Sequence, residues 1–157
     1  MQHYDLRLNI ESDLSDALIL AKEVFEPSEK ELAEYHQEAH WREKMRHGGL
    51  LVTAWKNGTM IGFVICDHRE ERTLHVWNAG VHHPHRGRGV WSTMYAAIEN
   101  FASRAGYDRI TLNTSRERFP NMYAFVKNHG FQEYRTETQN EKEKSYWGKM
   151  ISTTGMQ

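Results

Sequence analysis

A chain of 157 residues is long enough for one domain with its own core, and 39% hydrophobic and 26% charged residues fit a globular protein. Twenty Lys+Arg against 21 Asp+Glu leave no global basic field, so neither nucleic acid nor an anionic membrane is an expected partner. Runs such as ALILA are far short of the ~20 apolar residues of a membrane span, the start MQHYDLRLNIESD lacks the apolar core of a secretory signal, and the single Cys66 suits a reducing, cytoplasmic setting.

Period sets out the elements in chain order. Leu6, Leu8 and Ile10 alternate, which predicts a strand over 4–10. Leu14, Ala17, Leu18, Ala21, Val24 and Phe25 have helical spacing, with Ser12 or Asp13 as N-cap. A second helix is predicted from the Ser28–Glu31 capping box to the stop at Gly48-Gly49. Two β-rich runs flank Asn57-Gly58, a strong signal for a two-residue hairpin. A fourth strand follows over 72–81. Val90, Met94, Ala97, Ile98, Phe101 and Ala105 then give a long helix stopped by Gly106. DRITLNT is a strand, and FPNMYAFVKNHG is a short helix with Pro near its start and Gly130 past its end. FQEYRTET and SYWGKMIS are strands joined by a charged loop, QNEKEK. The order is β-α-α-β-β-β-α-β-α-β-β, a mixed α/β sheet with a meander in its middle.

The segment VHHPHRGRGVW, Val81 to Trp91, carries the strongest chemical signal. His82, His83 and His85 are potential metal donors, but no further Cys or His completes a structural zinc spacing. His36 and His40 lie one helical turn apart, with Glu38 where H-E-x-x-H needs glutamate at the preceding position. No metal is expected. A dinucleotide fingerprint fails because Ser92 holds the third glycine position and Asn113-Thr114 replaces the ribose acid; a Walker A loop fails for want of Gly-Lys-Ser/Thr. What remains is a strand, a short Arg86-Gly87-Arg88-Gly89 loop and the start of an amphipathic helix. Glycines admit a ligand close to the backbone, helix N-terminal amides favour an anion, and arginines add charge-assisted bonds. On these residues alone the segment reads as a phosphate or pyrophosphate cradle or as a tight turn with two solvated arginines.

Val81 followed by Arg86-Gly87-Arg88-Gly89-Val90-Trp91 resembles the R/Q-x-x-G-x-G/A loop of the GNAT family of acetyl-CoA-dependent N-acetyltransferases. The element order over nearly the whole chain and the Asn128-His129-Gly130-Phe131 that closes the late helix resemble that family too. The resemblance implies one domain over 1–157, with a mostly antiparallel sheet of about seven strands flanked by about four helices. It implies that backbone N–H groups of Arg86, Gly87, Arg88, Gly89, Val90 and Trp91 hold the pyrophosphate of acetyl-CoA. Asn78, Ala79, Gly80 and Val81 would pair with the pantetheine arm, on a strand splayed from DRITLNT. The implied reaction moves an acetyl group to a primary amine by direct attack in a ternary complex. The alternative is a non-catalytic acyl-CoA-binding or regulatory domain on the same fold. A homodimer stays open.

Two departures from the family pattern stand out. Trp91 replaces the last small residue of the loop motif and must point away from the pyrophosphate. Val126 occupies the usual place of the tyrosine that protonates the departing thiolate; Tyr123, one turn earlier on that helical face, is the substitute candidate or else a core aromatic. His75 is the candidate base, where histone-acetylating relatives carry a glutamate, and an imidazole with an ordinary pKa of ~6.5 suits that task. Otherwise it is a plain strand residue. Glu26, Glu29, Glu31, Glu34 and Glu38 form an acidic region that either attracts an amine or is a solvated helix face.

Overall fold

A computed structural model describes residues 4–24, 38–70, 72–139 and 141–152. Its elements are β1 (Asp5–Leu8), a 3-10 turn (Glu11–Asp13), α1 (Leu14–Val24), α2 (Glu38–Arg46), β2 (Leu50–Lys56), β3 (Thr59–His68) and β4 (Thr73–Val81). A second 3-10 turn (His83–His85), α3 (Val90–Arg104), β5 (Arg109–Thr114), α4 (Pro120–Asn128), β6 (Gln132–Gln139) and β7 (Lys142–Met150) complete it. The strands form one mostly antiparallel seven-stranded sheet in the order β1-β2-β3-β4-β5-β7-β6, with β4 and β5 parallel. The Ser28–Glu31 capping box lies outside the described residues. The chain clusters into two compact units, Met1–His68 with Asn78–Ile98, and Arg69–Trp77 with Glu99–Gln157.

In the first unit, Leu14, Ala17, Leu18 and Ala21 form the buried stripe of α1, as their spacing requires. The hairpin turns on Asn57 (φ 52°) and Gly58 (φ 78°), the left-handed pair that a two-residue turn needs. Nearly every residue of β2 and β3 is buried, and Trp41 packs on Phe63 at 5.6 Å between ring centroids. Gly62 lets α3 settle on β3: a Cβ there would meet Met94 Cε and Val90 Cγ1 at 3.0 Å. Two expectations are corrected. β1 stops at Leu8 because Asn9 turns to φ 55° and brackets Leu51, its N–H donating to the Leu51 carbonyl and its Oδ1 accepting from the Leu51 N–H, each at 2.8 Å. Asp13 is buried and receives Arg7 Nη1 (3.3 Å) and Thr53 Oγ1 (3.5 Å), so its carboxylate ties α1 to the sheet.

In the second unit β4 pairs with β5 from Thr73↔Arg109 to Val76↔Leu112, and β7 pairs with β5 and with β6. Paired residues share a sheet face. One face is therefore apolar, carrying Leu74, Val76, Ile110, Leu112 and Trp147, all buried. α4 covers this face, with Tyr123 edge-on to Trp147 at 5.6 Å. The predicted QNEKEK loop is corrected to a tight connection: β6 runs to Gln139 and β7 begins at Lys142. Charge suits strand here because Glu137 stands opposite Lys144 on half-buried ladder positions. No described helix is long and apolar enough to cross a membrane.

Candidate functional site

The loop after β4 is built by backbone. His82 N–H continues the ladder to the Ile61 carbonyl (2.8 Å), and a 3-10 turn follows through His85 N–H to His82 O (2.9 Å) and Arg86 N–H to His83 O (3.2 Å). Arg86 folds back, its Nε donating to the Val81 carbonyl at 3.0 Å, while Tyr4 Oη donates to the Arg88 carbonyl at 3.1 Å. Gly87 (φ 74°) and Gly89 (φ 81°) take left-handed conformations that side chains disfavour. A Cβ on either would meet no atom within 4 Å, so both glycines face open space. The first bond of α3 joins Thr93 N–H to Gly89 O at 3.0 Å, so the amides ahead of Thr93 point out of the helix end. That open, amide-lined shelf with exposed Arg88 beside it fits a pyrophosphate.

Neighbouring residues fit the same ligand. Trp91 stacks along α3 on Tyr95 (5.8 Å) and stays beyond 4 Å of a Cβ at Gly87 or Gly89, so its bulk does not cover the shelf. Gly80 is glycine for packing: a Cβ there would strike Phe63 Cε1 at 2.7 Å and Val24 Cγ2 at 2.8 Å. Phe63 and Val24 thus fill that side of the strand. Among the described residues the register with β5 ends at Val76, although β4 continues to Val81. His82 and His85 place their Nδ1 atoms 3.4 Å apart. Burial holds the His85 imidazole below its usual range, helped by the cations of His82, Lys56 and Arg88. This positive surrounding favours an anion. Among the described residues no group of three or more His, Cys, Asp or Glu is placed to hold a metal.

His75 and Tyr123 belong to the second unit, on opposite faces of its sheet. His75 is buried, with Nδ1 2.7 Å from Thr111 Oγ1 on the paired strand. Tyr123 is half-buried against Trp147 on the other face, and Arg116 (5.7 Å) and Lys127 (5.5 Å) stand over its ring. Val126 is fully buried core. Glu38 is committed to Ser15 (2.6 Å) and Arg42 (3.1 Å), which hold its carboxyl below the usual range; Glu26, Glu29, Glu31, Glu34 and His36 lie outside the described residues. Sequence reasoning missed Tyr4, Lys56 and Thr111. Their part depends on neighbours far away in the chain, and no local spacing marks them.

Solved acetyltransferases share this architecture. The chain is similar to a structure assigned to the GNAT family from Desulfovibrio desulfuricans, with a TM-score of 0.77 and 17% identity over 96% of this chain and 100% of that one. The PaiA N-acetyltransferase of Thermoplasma acidophilum, solved with coenzyme A, gives a TM-score of 0.76 at 14% identity, over 96% and 100%. The ribosomal-protein-S18-alanine N-acetyltransferase of Escherichia coli gives 0.74 at 17% identity, over 98% and 97%. No curated protein matches the sequence. The model of the Acetyltransferase (GNAT) family matches residues 14–131, and the chain belongs to that family. It is an acyltransferase on a fold that binds acetyl-CoA.

Proposed function

We propose that residues 1–157 act as one domain that moves the acetyl group of acetyl-CoA to a primary amine by direct attack in a ternary complex. The observation that carries this reading is the shelf at Gly87 and Gly89, open on the side where a Cβ would stand and followed by the amide end of α3. Backbone N–H groups from Arg86 to Trp91 hold the pyrophosphate, Arg88 adds charge, and Asn78 to Val81 align the pantetheine arm in strand fashion. Acetyl-CoA supplies the acyl group as a thioester whose thiolate, like a thiol of pKa ~8.5, leaves readily near neutrality.

The chain's own residues then move protons. His75 takes the proton of the attacking amine, and its bond to Thr111 fixes the ring. Tyr123, with Arg116 and Lys127 over its ring, gives a proton to the departing sulfur. Holding the two substrates together supplies much of the remaining acceleration. The test is release of CoA thiol and acetylation by mass across lysine, spermidine, an aminoglycoside and peptides with free N-termini. Acetylation of at least one primary amine is expected. Binding of acetyl-CoA without acetylation of any amine would favour the acyl-CoA-binding alternative.

A further inference from the structure

The sheet face of the second unit that carries His75 is polar, in contrast to the apolar face under α4. His75 pairs with Thr111, Thr111 with Gly148, and Asn113 with Tyr146, so these residues share that face. Most polar groups there are engaged. Thr111 Oγ1 is bonded to His75 Nδ1 (2.7 Å), and Tyr146 Oη donates to Glu137 Oε2 (2.8 Å). The Arg109 guanidinium occupies the place of the missing Gly148 side chain and lies over the Tyr134 ring at 4.9 Å. Asn113 Oδ1 differs. This atom is buried, on a half-buried side chain, and accepts no hydrogen bond among the described residues. Thr114 Oγ1, also buried without a partner, falls on the opposite face by strand alternation.

A buried carbonyl left without a donor is uncommon in folded proteins and asks for an explanation. We infer that Asn113 Oδ1 receives an N–H of the acceptor amine, on the face it shares with His75 and Thr111. The inference rests on the acetyltransferase reading above and adds the residue that orients the nucleophile. A neutral amide suits this task better than a carboxylate. It accepts one N–H and fixes the direction of the lone pair, without the negative charge that would keep the amine as an ammonium ion. The amine nitrogen then bonds to the thioester carbonyl carbon. The carbon–sulfur bond breaks, its electron pair leaves on sulfur, and the surplus proton on nitrogen passes to His75.

The natural acceptor is unidentified, so the test tethers its own amine. Asn113→Cys, at a side chain that is only half-buried, is alkylated in the folded state with 2-bromoethylamine and places a primary amine at the position; Cys66 is fully buried, its thiol pushed far up in pKa, and does not react. On adding acetyl-CoA, the tethered amine is expected to gain one acetyl group by mass, about tenfold faster than the same label on exposed Thr138→Cys. Asn113→Lys supplies the same amine genetically should alkylation or folding of the first variant fail. Asn113→Leu is expected to bind acetyl-CoA as tightly as the wild type by calorimetry. Equal labelling rates at 113 and 138 overturn the inference. So does acetyl-CoA binding weakened about tenfold in Asn113→Leu, since the carbonyl would then serve an amide of the pantetheine arm. Failure of the wild type itself to bind acetyl-CoA would instead strike the acetyltransferase reading.

Discussion

On the reading proposed above, the loop from Val81 to Trp91 and the polar face around His75 use opposite means to recognise a ligand. The loop works through backbone: two left-handed glycines, a turn of carbonyls and amides, and a helix end. The face works through side chains carried on separate strands: His75 on β4, Thr111 and Asn113 on β5, Tyr146 on β7. The loop should therefore be broken by adding a Cβ and little affected by most changes of side-chain chemistry. The face should be broken by changes of chemistry that leave its shape intact.

The largest effect is expected on the face. His75→Ala should lower the rate by roughly 10²–10⁴-fold, the usual worth of a positioned base. If His75 is the proposed base, neutral imidazole is the active form, so kcat/KM should rise with pH through an inflection that the variant loses. If the inflection follows the pKa of the amine and survives in His75→Ala, the histidine is a structural strand residue. Gly89→Leu comes next. Acetyl-CoA at a hundredfold excess over Kd should stabilise the wild type by about 2.7 kcal/mol. The variant should lose this melting shift and also about 1 kcal/mol of its own stability, because Gly89 sits at φ 81°. A retained shift would place the cradle elsewhere. Tyr123→Phe should lower turnover about tenfold and leave acetyl-CoA affinity unchanged, because an acid acts on the leaving group and not on binding. An unchanged rate would retire Tyr123 as the acid.

The smallest effect is a pH dependence of the loop. Burial and then the cations of His82, Lys56 and Arg88 lower the His85 pKa in the folded chain. Between that lowered value and the ordinary ~6.5 the unfolded chain binds more protons, so this group makes the free protein less stable as pH falls through that window. A bound pyrophosphate offsets those cations and raises the His85 pKa again. Acetyl-CoA binding should then take up protons below the ordinary imidazole range and tighten a few-fold as pH falls, an effect absent in His85→Gln. Calorimetry in buffers of different ionisation heat reads the uptake. Proton release on binding would show that the histidine pair does not sense the ligand.

How far each region can be read from sequence follows from the same difference. The hairpin at Asn57-Gly58, the stripe of α1 and the strand–loop–helix around Arg86 to Trp91 are local, and consecutive residues announce them. Two end points were hidden because distant residues decide them. Asn9 ends β1 by bonding Leu51, and Asp13 gives up capping for Arg7 and Thr53. QNEKEK reads as a loop by composition, and the register of Glu137–Gln139 with Lys142–Lys144 makes Gln139 and Lys142–Lys144 strand. Thr111 and Asn113 were invisible as site residues for the same reason: nothing in ITLNT tells which face each side chain takes until β4 and β7 are paired with it.

The most direct test of this division between binding and chemistry is a calorimetric titration of acetyl-CoA into the wild type, Gly89→Leu and His75→Ala, with turnover of the best amine measured on the same samples. The account predicts that Gly89→Leu loses both binding and turnover, while His75→Ala binds acetyl-CoA like the wild type and loses turnover alone. Acetyl-CoA binding that survives in Gly89→Leu, or that disappears in a folded His75→Ala, would contradict it.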